Sequence, residues 1–497
     1  MQRALNLIGG KLIEPASGAW LDNVDPATGE VIGQVADSSS ADVERAAAAA
    51  AGEGAVWMQL SCAERSRLLL DLASAIEGRL EDFARAESID SGKPISAARA
   101  IDIPRAVANF RYFATAILHT ESQLHETEAA GTPHGPARAI NYTLRRPRGV
   151  AGCISPWNLP LYLLTWKIAP ALACGCPVVA KPSELTPTTA FMLAELSREV
   201  LPPGALNIIH GRGDTAGAAI VQHPDIPTIT FTGSTKVGRW IGSAAGGMLK
   251  RVSLELGGKN PFIVFADAPG EQPGAERRLT LEETIRAGFS NQGQICLCGS
   301  RLLVERSVFD DFIDRLAERA RARTIGDPLD EATEHGALVS RDHLAKVDSY
   351  VQQARSLGGT VICGGAPIDP DALPKRIRAG AFYPPTIITG LPNDCPPIQE
   401  EIFGPVITAQ PFDSEDEAVQ LANSTPYGLA ATLWTQNLSR AHRMADRLEA
   451  GIIWINCWML RDLRTPFGGV KQSGVGREGG LEAIRFFTEP KNVCVRI

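Results

Sequence analysis

Between residues 149 and 258, short apolar, β-branched runs recur at 150–154, 177–181, 206–210, 228–232 and 251–256, with helical stretches such as 186–201 and 234–245 between them. A helix inserted between two strands works as a crossover, so this alternation predicts a parallel sheet with helices on both faces. That is the outline of a dinucleotide-binding unit. A second alternating block begins past Asn260. Within it, 307–323 reads as a helix with a Ser307/Asp310 capping box and Phe309, Phe312, Ile313 and Leu316 on one face. Upstream, 41–52 and 62–88 read as helices, while the glycine-rich 358–366 and 466–480 read as loops or hinges. Residues 125–148 lack a helical period and 492–497 reads as a short strand; neither has an obvious partner.

A chain of 497 residues points to about three domains. Its net charge of −7 supplies no positive field for nucleic acid. The ten cysteines form no Cys-x-x-Cys pair and no cluster with zinc-ligand spacing, so neither a metal site nor a disulfide scaffold is expected. The most apolar window, 161–180, carries Lys167, Pro170 and Pro177, which argues against a membrane span. No signal-like segment opens the chain, and a cytoplasmic enzyme is expected.

Two glycine turns suit a pyrophosphate: Gly211-Arg-Gly-Asp-Thr-Ala-Gly217 and Phe231-Thr-Gly-Ser-Thr-Lys-Val-Gly238. Residue pattern alone leaves both open. In Lys181-Pro-Ser-Glu184, the lysine and carboxylate can bond ribose hydroxyls, and the carboxylate would repel a 2′-phosphate, which favours NAD over NADP. The stretch 289–301 places Cys296 among small and amide residues on a bend containing Gly293, and Glu255 ends an apolar run before a Gly-Gly hinge. A thiol and a carboxylate base without a partnering His motif suit addition to an aldehyde, followed by attack of water on the thioester. The same pair without redox chemistry would make an ester or thioester hydrolase. A free thiol has a pKa near about 8.5, so Cys296 needs an activating environment. Cys298 is the rival thiol. Asn158, on the Pro156–Pro160 turn, offers an amide to the alkoxide, with the Cys296 N–H as second donor.

These motifs, with Glu401-Ile-Phe-Gly-Pro405 and Pro466-Phe-Gly-Gly469, resemble the NAD(P)-dependent aldehyde dehydrogenase family from about Ile13 onward. The resemblance implies an α/β fold: a Rossmann-like NAD-binding domain (1–124 and 149–257), a second α/β catalytic domain (258–472), and a small β oligomerisation domain (125–148 and 473–497) of a homodimer or homotetramer. It selects Gly233 and Ser234 for the pyrophosphate, Cys296 over Cys298 as nucleophile, Glu401 for the nicotinamide ribose and Phe403 for the nicotinamide. It also implies that Ser155, Trp157, Lys181, Ser183, Glu184, Gly213 and Phe231 line the cofactor.

Further stretches, among them Asn109-Phe-Arg-Tyr-Phe113, Leu164-Thr-Trp-Lys167 and Asn456-Cys-Trp-Met-Leu-Arg-Asp462, are similar to the branch oxidising 2-aminomuconate or 2-hydroxymuconate 6-semialdehyde. Such a substrate carries a carboxylate, for which Arg111 and Arg461 are the expected partners, with Trp166 and Phe467 as further substrate contacts. The alternative is a broad-specificity dehydrogenase of aliphatic or aromatic aldehydes.

Overall fold

The five expected strands form in the computed structural model, which describes residues 2–133, 135–269 and 279–497: β1 (Ala151–Ile154), β2 (Val178–Lys181), β3 (Leu206–Ile208), β4 (Thr228–Thr232) and β5 (Arg251–Glu255). They pair in parallel in the order β5-β4-β1-β2-β3. The chain runs outward from β1 to β3, then crosses back to lay β4 on the other side of β1. Strand order therefore reverses between β1 and β4, and a crevice opens beyond their carboxyl ends. Strands Asn6–Ile8 and Lys11–Ile13 extend this sheet past β3. Gly474–Val475 pairs antiparallel with β5 at the other edge, so the boundary expected at 473 cuts into the first sheet.

Helix Pro160–Ala173 follows β1 and is buried at every position. It is covered on all sides, which explains an apolar window without a polar stripe. Among the described residues, no helix is long and apolar enough to cross a membrane.

The second block builds another sheet from β6 (Pro261–Val264), β7 (Arg301–Glu305), β8 (Thr360–Cys363), β9 (Thr386–Thr389), β10 (Val406–Phe412), β11 (Ala430–Trp434) and β12 (Ile452–Ile455). Its order is β8-β9-β10-β7-β6-β11-β12, with only β8 antiparallel to its neighbour. The segments that lacked partners find each other: Leu124–Thr132, Gly135–Pro147 and Thr488–Arg496 form a three-stranded antiparallel sheet.

Three local expectations are corrected. The helix expected over 62–88 is two helices, Cys62–Glu77 and Leu80–Ser91, because Gly78 ends the first and Arg79 leaves helical geometry. The Ser307 capping box does not form; the helix starts at Phe309, and Ser307 Oγ turns to Glu305 instead. The glycine-rich 358–366 contains β8 rather than being loop throughout.

Candidate active site

A cleft of about 240 Å³ lies at the β1/β4 crevice, and Trp157, Asn158, Gly233, Ser234, Cys296, Glu401 and Phe403 all reach its wall. The turn after β4 is built for close approach. The Gly233 N–H donates to the Glu255 carbonyl (3.1 Å), and a Cβ on Gly233 would lie 2.4 Å from the Phe231 ring. Ser234 then caps helix Thr235–Gly247 by accepting from the Val237 N–H (3.3 Å). The remaining N–H groups of that first turn are open to an anion. By contrast, Gly213 opens a short π-helical turn, Gly213–Gly217, and is not on the cleft wall. The structure thus separates two glycine turns that residue pattern left equal.

Lys181 ends β2, one strand over, and Ser183 and Glu184 follow it. Lys181 Nζ is buried and donates to Glu184 Oε2 (3.1 Å) and to the carbonyls of Pro182 and Gly211 (both 2.8 Å). Burial holds its pKa below the usual lysine value. Ser183 Oγ accepts from the Leu185 N–H (3.3 Å), and Ser155 Oγ is buried with no partner.

Cys296 Sγ lies 3.6 Å from Oε1 of Glu255, which is 2% exposed at the end of β5. Oε2 of Glu255 is buried without a partner. Burial, helped by the charge of Glu478, pushes the Glu255 pKa up to about 7. Burial also pushes the Cys296 thiol up, with Glu255 and Glu401 adding to it and Arg461 opposing. At rest this is a protonated thiol beside a carboxylate poised near neutrality. Behind Glu255, Lys167 Nζ donates to Glu478 Oε1 (2.7 Å) and Thr230 Oγ1 donates to the same oxygen (3.0 Å). Sequence reasoning missed this pair, since Lys167 and Glu478 stand 311 residues apart with no local motif joining them.

The nucleophile loop is fixed from several sides. Asn260 Nδ2 donates to the carbonyls of Cys296 (2.7 Å) and Cys298 (2.9 Å), and Asn158 Nδ2 donates to the Gln294 carbonyl (2.8 Å). Gly293 has φ +71°, and a Cβ there would lie 2.1 Å from the Gly404 carbonyl oxygen. Cys298 is buried at 4% exposure, whereas Cys296 opens to the cleft. Glu401 Oε1 accepts from the Gly258 N–H (3.0 Å), and burial raises its pKa to about 7. The Phe403 ring stands edge-on to Trp157 with centroids 5.3 Å apart.

Among the residues expected to contact substrate, Arg461 Nη1 donates to Tyr162 Oη (2.7 Å), and its guanidinium lies 4.0 Å from the Phe467 ring centroid and 5.5 Å from that of Trp166. Asp462 pairs with Arg464, not with Arg461. Arg111 does not join this group. It lies on the outer face of helix Ile103–Ala116, its side chain 46% exposed and paired with Glu77 through both guanidinium nitrogens. Arg105, not Arg111, lies beside Arg461, 5.4 Å from the Tyr162 centroid and 5.6 Å from that of Trp166, with Nε and Nη2 buried and unpartnered. Six residues of helix rotate a side chain by about 240° net, so Arg105 and Arg111 cannot both face these rings. Among the described residues, no carboxylate forms an ion pair with either Arg105 or Arg461.

The aldehyde dehydrogenase family profile matches residues 12–493, and the chain belongs to that family. It is 49% identical over 492 residues to the 2-aminomuconic semialdehyde dehydrogenase of Danio rerio, covering 99% of this chain and 98% of that one. It is 48% identical over 501 residues to the 2-hydroxymuconic semialdehyde dehydrogenase of Pseudomonas sp. (strain CF600), covering 100% of both. An aldehyde dehydrogenase from Bacillus cereus, solved as an NAD+ complex, superposes with a TM-score of 0.92 at 37% identity, covering 100% of this chain and 97% of that one.

Gly293→Ala should place a methyl group against the Gly404 backbone in a left-handed conformation. Strain of about 1–3 kcal/mol would then fall on the loops carrying Cys296 and Glu401. A loss of about tenfold or more in kcat/KM is expected; a wild-type value would show that the two loops are not coupled.

Proposed function

We propose that this aldehyde dehydrogenase oxidises an unsaturated semialdehyde with a distal carboxylate, of the 2-aminomuconate or 2-hydroxymuconate 6-semialdehyde type, using NAD. One observation carries the substrate class: two arginines, Arg105 and Arg461, meet over Tyr162 and Trp166, and among the described residues neither is ion-paired to a carboxylate, Asp462 pairing with Arg464 instead. Guanidinium groups held against aromatic rings favour an anionic ligand that accepts in a fork.

The cofactor fits what the crevice offers. Gly233 clears space beside Phe231, the Ser234-capped helix points open N–H groups outward, and Ser155 keeps a buried hydroxyl without a partner. In this reading, Lys181, Ser183 and Glu184 hold the adenosine ribose, and the Glu184 carboxylate disfavours a 2′-phosphate. Glu401 holds the nicotinamide ribose, with Phe403 and Trp157 walling the ring. Gly213 has the weaker claim, being off the cleft wall. NAD supplies the hydride acceptor.

The chain's own groups do the rest. Cys296 loses its proton to solvent as Sγ bonds to the aldehyde carbon, and Glu255, 3.6 Å from Sγ, is left free for the hydrolytic step. The developing alkoxide is stabilised by the Asn158 side-chain amide and the Cys296 N–H, each worth roughly 10²–10³ in rate in comparable sites. Once the thioester exists, Glu255 takes a proton from water, the water oxygen bonds to the acyl carbon, and the C–S bond breaks to free the thiolate. A base with a pKa of about 7 suits this step at neutral pH. The edge strand Leu124–Thr132 is almost wholly exposed, which supports the small sheet as the place where copies of the chain associate.

Cys296→Ala should abolish NADH formation while NAD still binds. Glu255→Gln should leave a burst of NADH followed by slow turnover and a trapped acyl-enzyme. With Glu255 at about 7, wild-type deacylation should rise roughly tenfold per pH unit below 7 and level off above it. A flat profile through pH 7 would remove Glu255 as the base.

Arg105→Ala and Arg461→Ala should each lose charge-assisted bonds of roughly 1.5–3 kcal/mol to the substrate carboxylate. That is about one to two decades in kcat/KM on the acidic semialdehyde, with little change on a neutral aldehyde of similar size. Arg111→Ala should stay near wild type on both. Equal losses on the two substrates would favour the broad-specificity reading.

A further inference from the structure

Asn158 is held from behind by charged side chains that lie outside the cleft. Lys93, Glu87 and Asp102 are 1%, 0% and 3% exposed. Three segments deliver them: helix Leu80–Ser91, the turn after the left-handed Gly92 that ends it, and the π-helical turn Ala98–Asp102. A π-turn re-aims side chains and is common at functional positions. Here it also sets the start of the helix that carries Arg105.

Lys93 Nζ donates to Asp102 Oδ2 at 2.5 Å and lies 3.7 Å from Glu87 Oε1. Its third contact is the backbone carbonyl of Asn158, at 3.2 Å. Glu87 Oε2 accepts from the Leu161 N–H (3.4 Å) in the first turn of helix Pro160–Ala173. The 158–161 turn is therefore gripped at both ends by one buried ion cluster. Asn291 Nδ2 binds the same Asn158 carbonyl (2.9 Å) from the nucleophile loop. Burying three charges is unfavourable unless the geometry is good, and a neutral donor would satisfy a lone carbonyl. An ammonium with two carboxylate partners gives that carbonyl a fixed address.

Resting on the reading of Asn158 as the alkoxide donor, we propose that Lys93, set in place by Asp102 and Glu87, is a positioning residue that orients the Asn158 amide. Lys93 touches neither substrate nor cofactor; its effect passes through the Asn158 backbone.

Lys93→Met alone would leave two buried carboxylates without a cation, so the main variant pairs it with Asp102→Asn, removing one charge of each sign. Lys93→Arg serves as a second variant that keeps the charge but changes the reach of the donor. The readouts are the burst rate of NADH formation at saturating substrates and NAD affinity by fluorescence titration, each with and without Asn158→Ala. Asn158→Ala should slow the burst about 10²–10³-fold. The paired variant should slow it about tenfold to a hundredfold, as a small misplacement of a reacting group does, with NAD affinity unchanged within about twofold. Lys93→Arg should slow it at least about threefold, a floor set by the same misplacement argument. Added to Asn158→Ala, either change should cost less than about threefold more, because residues acting as a unit are not additive. A wild-type burst in Asn158→Ala would overturn the donor reading itself. A slow Asn158→Ala with full additivity, or a wild-type burst in both Lys93 variants, would overturn the positioning role alone.

Discussion

Glu255 is a carboxylate buried at the end of a parallel strand, with one oxygen facing a thiol and the other facing nothing. In water it would be fully ionised at neutral pH and a weak base. Desolvation lifts it to about 7, and the neighbouring Glu478 pushes in the same direction. The architecture serves this placement. A strand end is rigid, and the crevice at the β1/β4 reversal is where a parallel sheet leaves room for a ligand. Glu255 ends β5, beside β4, while Cys296 arrives from the loop before β7 of the other sheet. The proposed nucleophile and base therefore come from two sheets, one from each.

Charge buried near the site is mostly paired. Lys167 with Glu478, and Lys93 with Asp102 and Glu87, are ion clusters that a chain could replace with apolar residues at little cost to stability. Their positions explain them better than stability does. One lies behind the proposed base and the other behind the proposed alkoxide donor. Each fixes a polar geometry that apolar packing cannot specify.

The substrate end follows the opposite rule. Arg105 and Arg461 are brought together against Tyr162, Trp166 and Phe467, and among the described residues neither is ion-paired to an acid. Aromatic faces ease the approach of two like charges, through cation–π attraction, without using up the guanidinium donors. A carboxylate ligand would complete the arrangement. That distinguishes this cluster from the end of β2, where Lys181 already has Glu184 and two carbonyls as partners.

Alternation of strand and helix, the Cys296 and Glu255 motifs, and the Glu401 to Pro405 run all lie in local sequence, because hydrophobic period and backbone turns are decided within a few residues. The parallel sheet and the two residues, Cys296 and Glu255, that the fold brings within 3.6 Å of each other were legible there. Local sequence also left two glycine turns level, and only the tertiary structure put Gly233 and Ser234 on the cleft wall with Cys296 and Glu401. It placed Arg105 rather than Arg111 against Tyr162 and Trp166, since the face a helical residue presents depends on how the whole helix docks. It joined Lys167 to Glu478 and Lys93 to the Asn158 carbonyl, contacts between segments that share no motif. A buried charge finds its partner across the fold, by proximity that sequence separation does not encode, so residue order determined the chemistry at hand and three-dimensional packing decided which groups hold it in place.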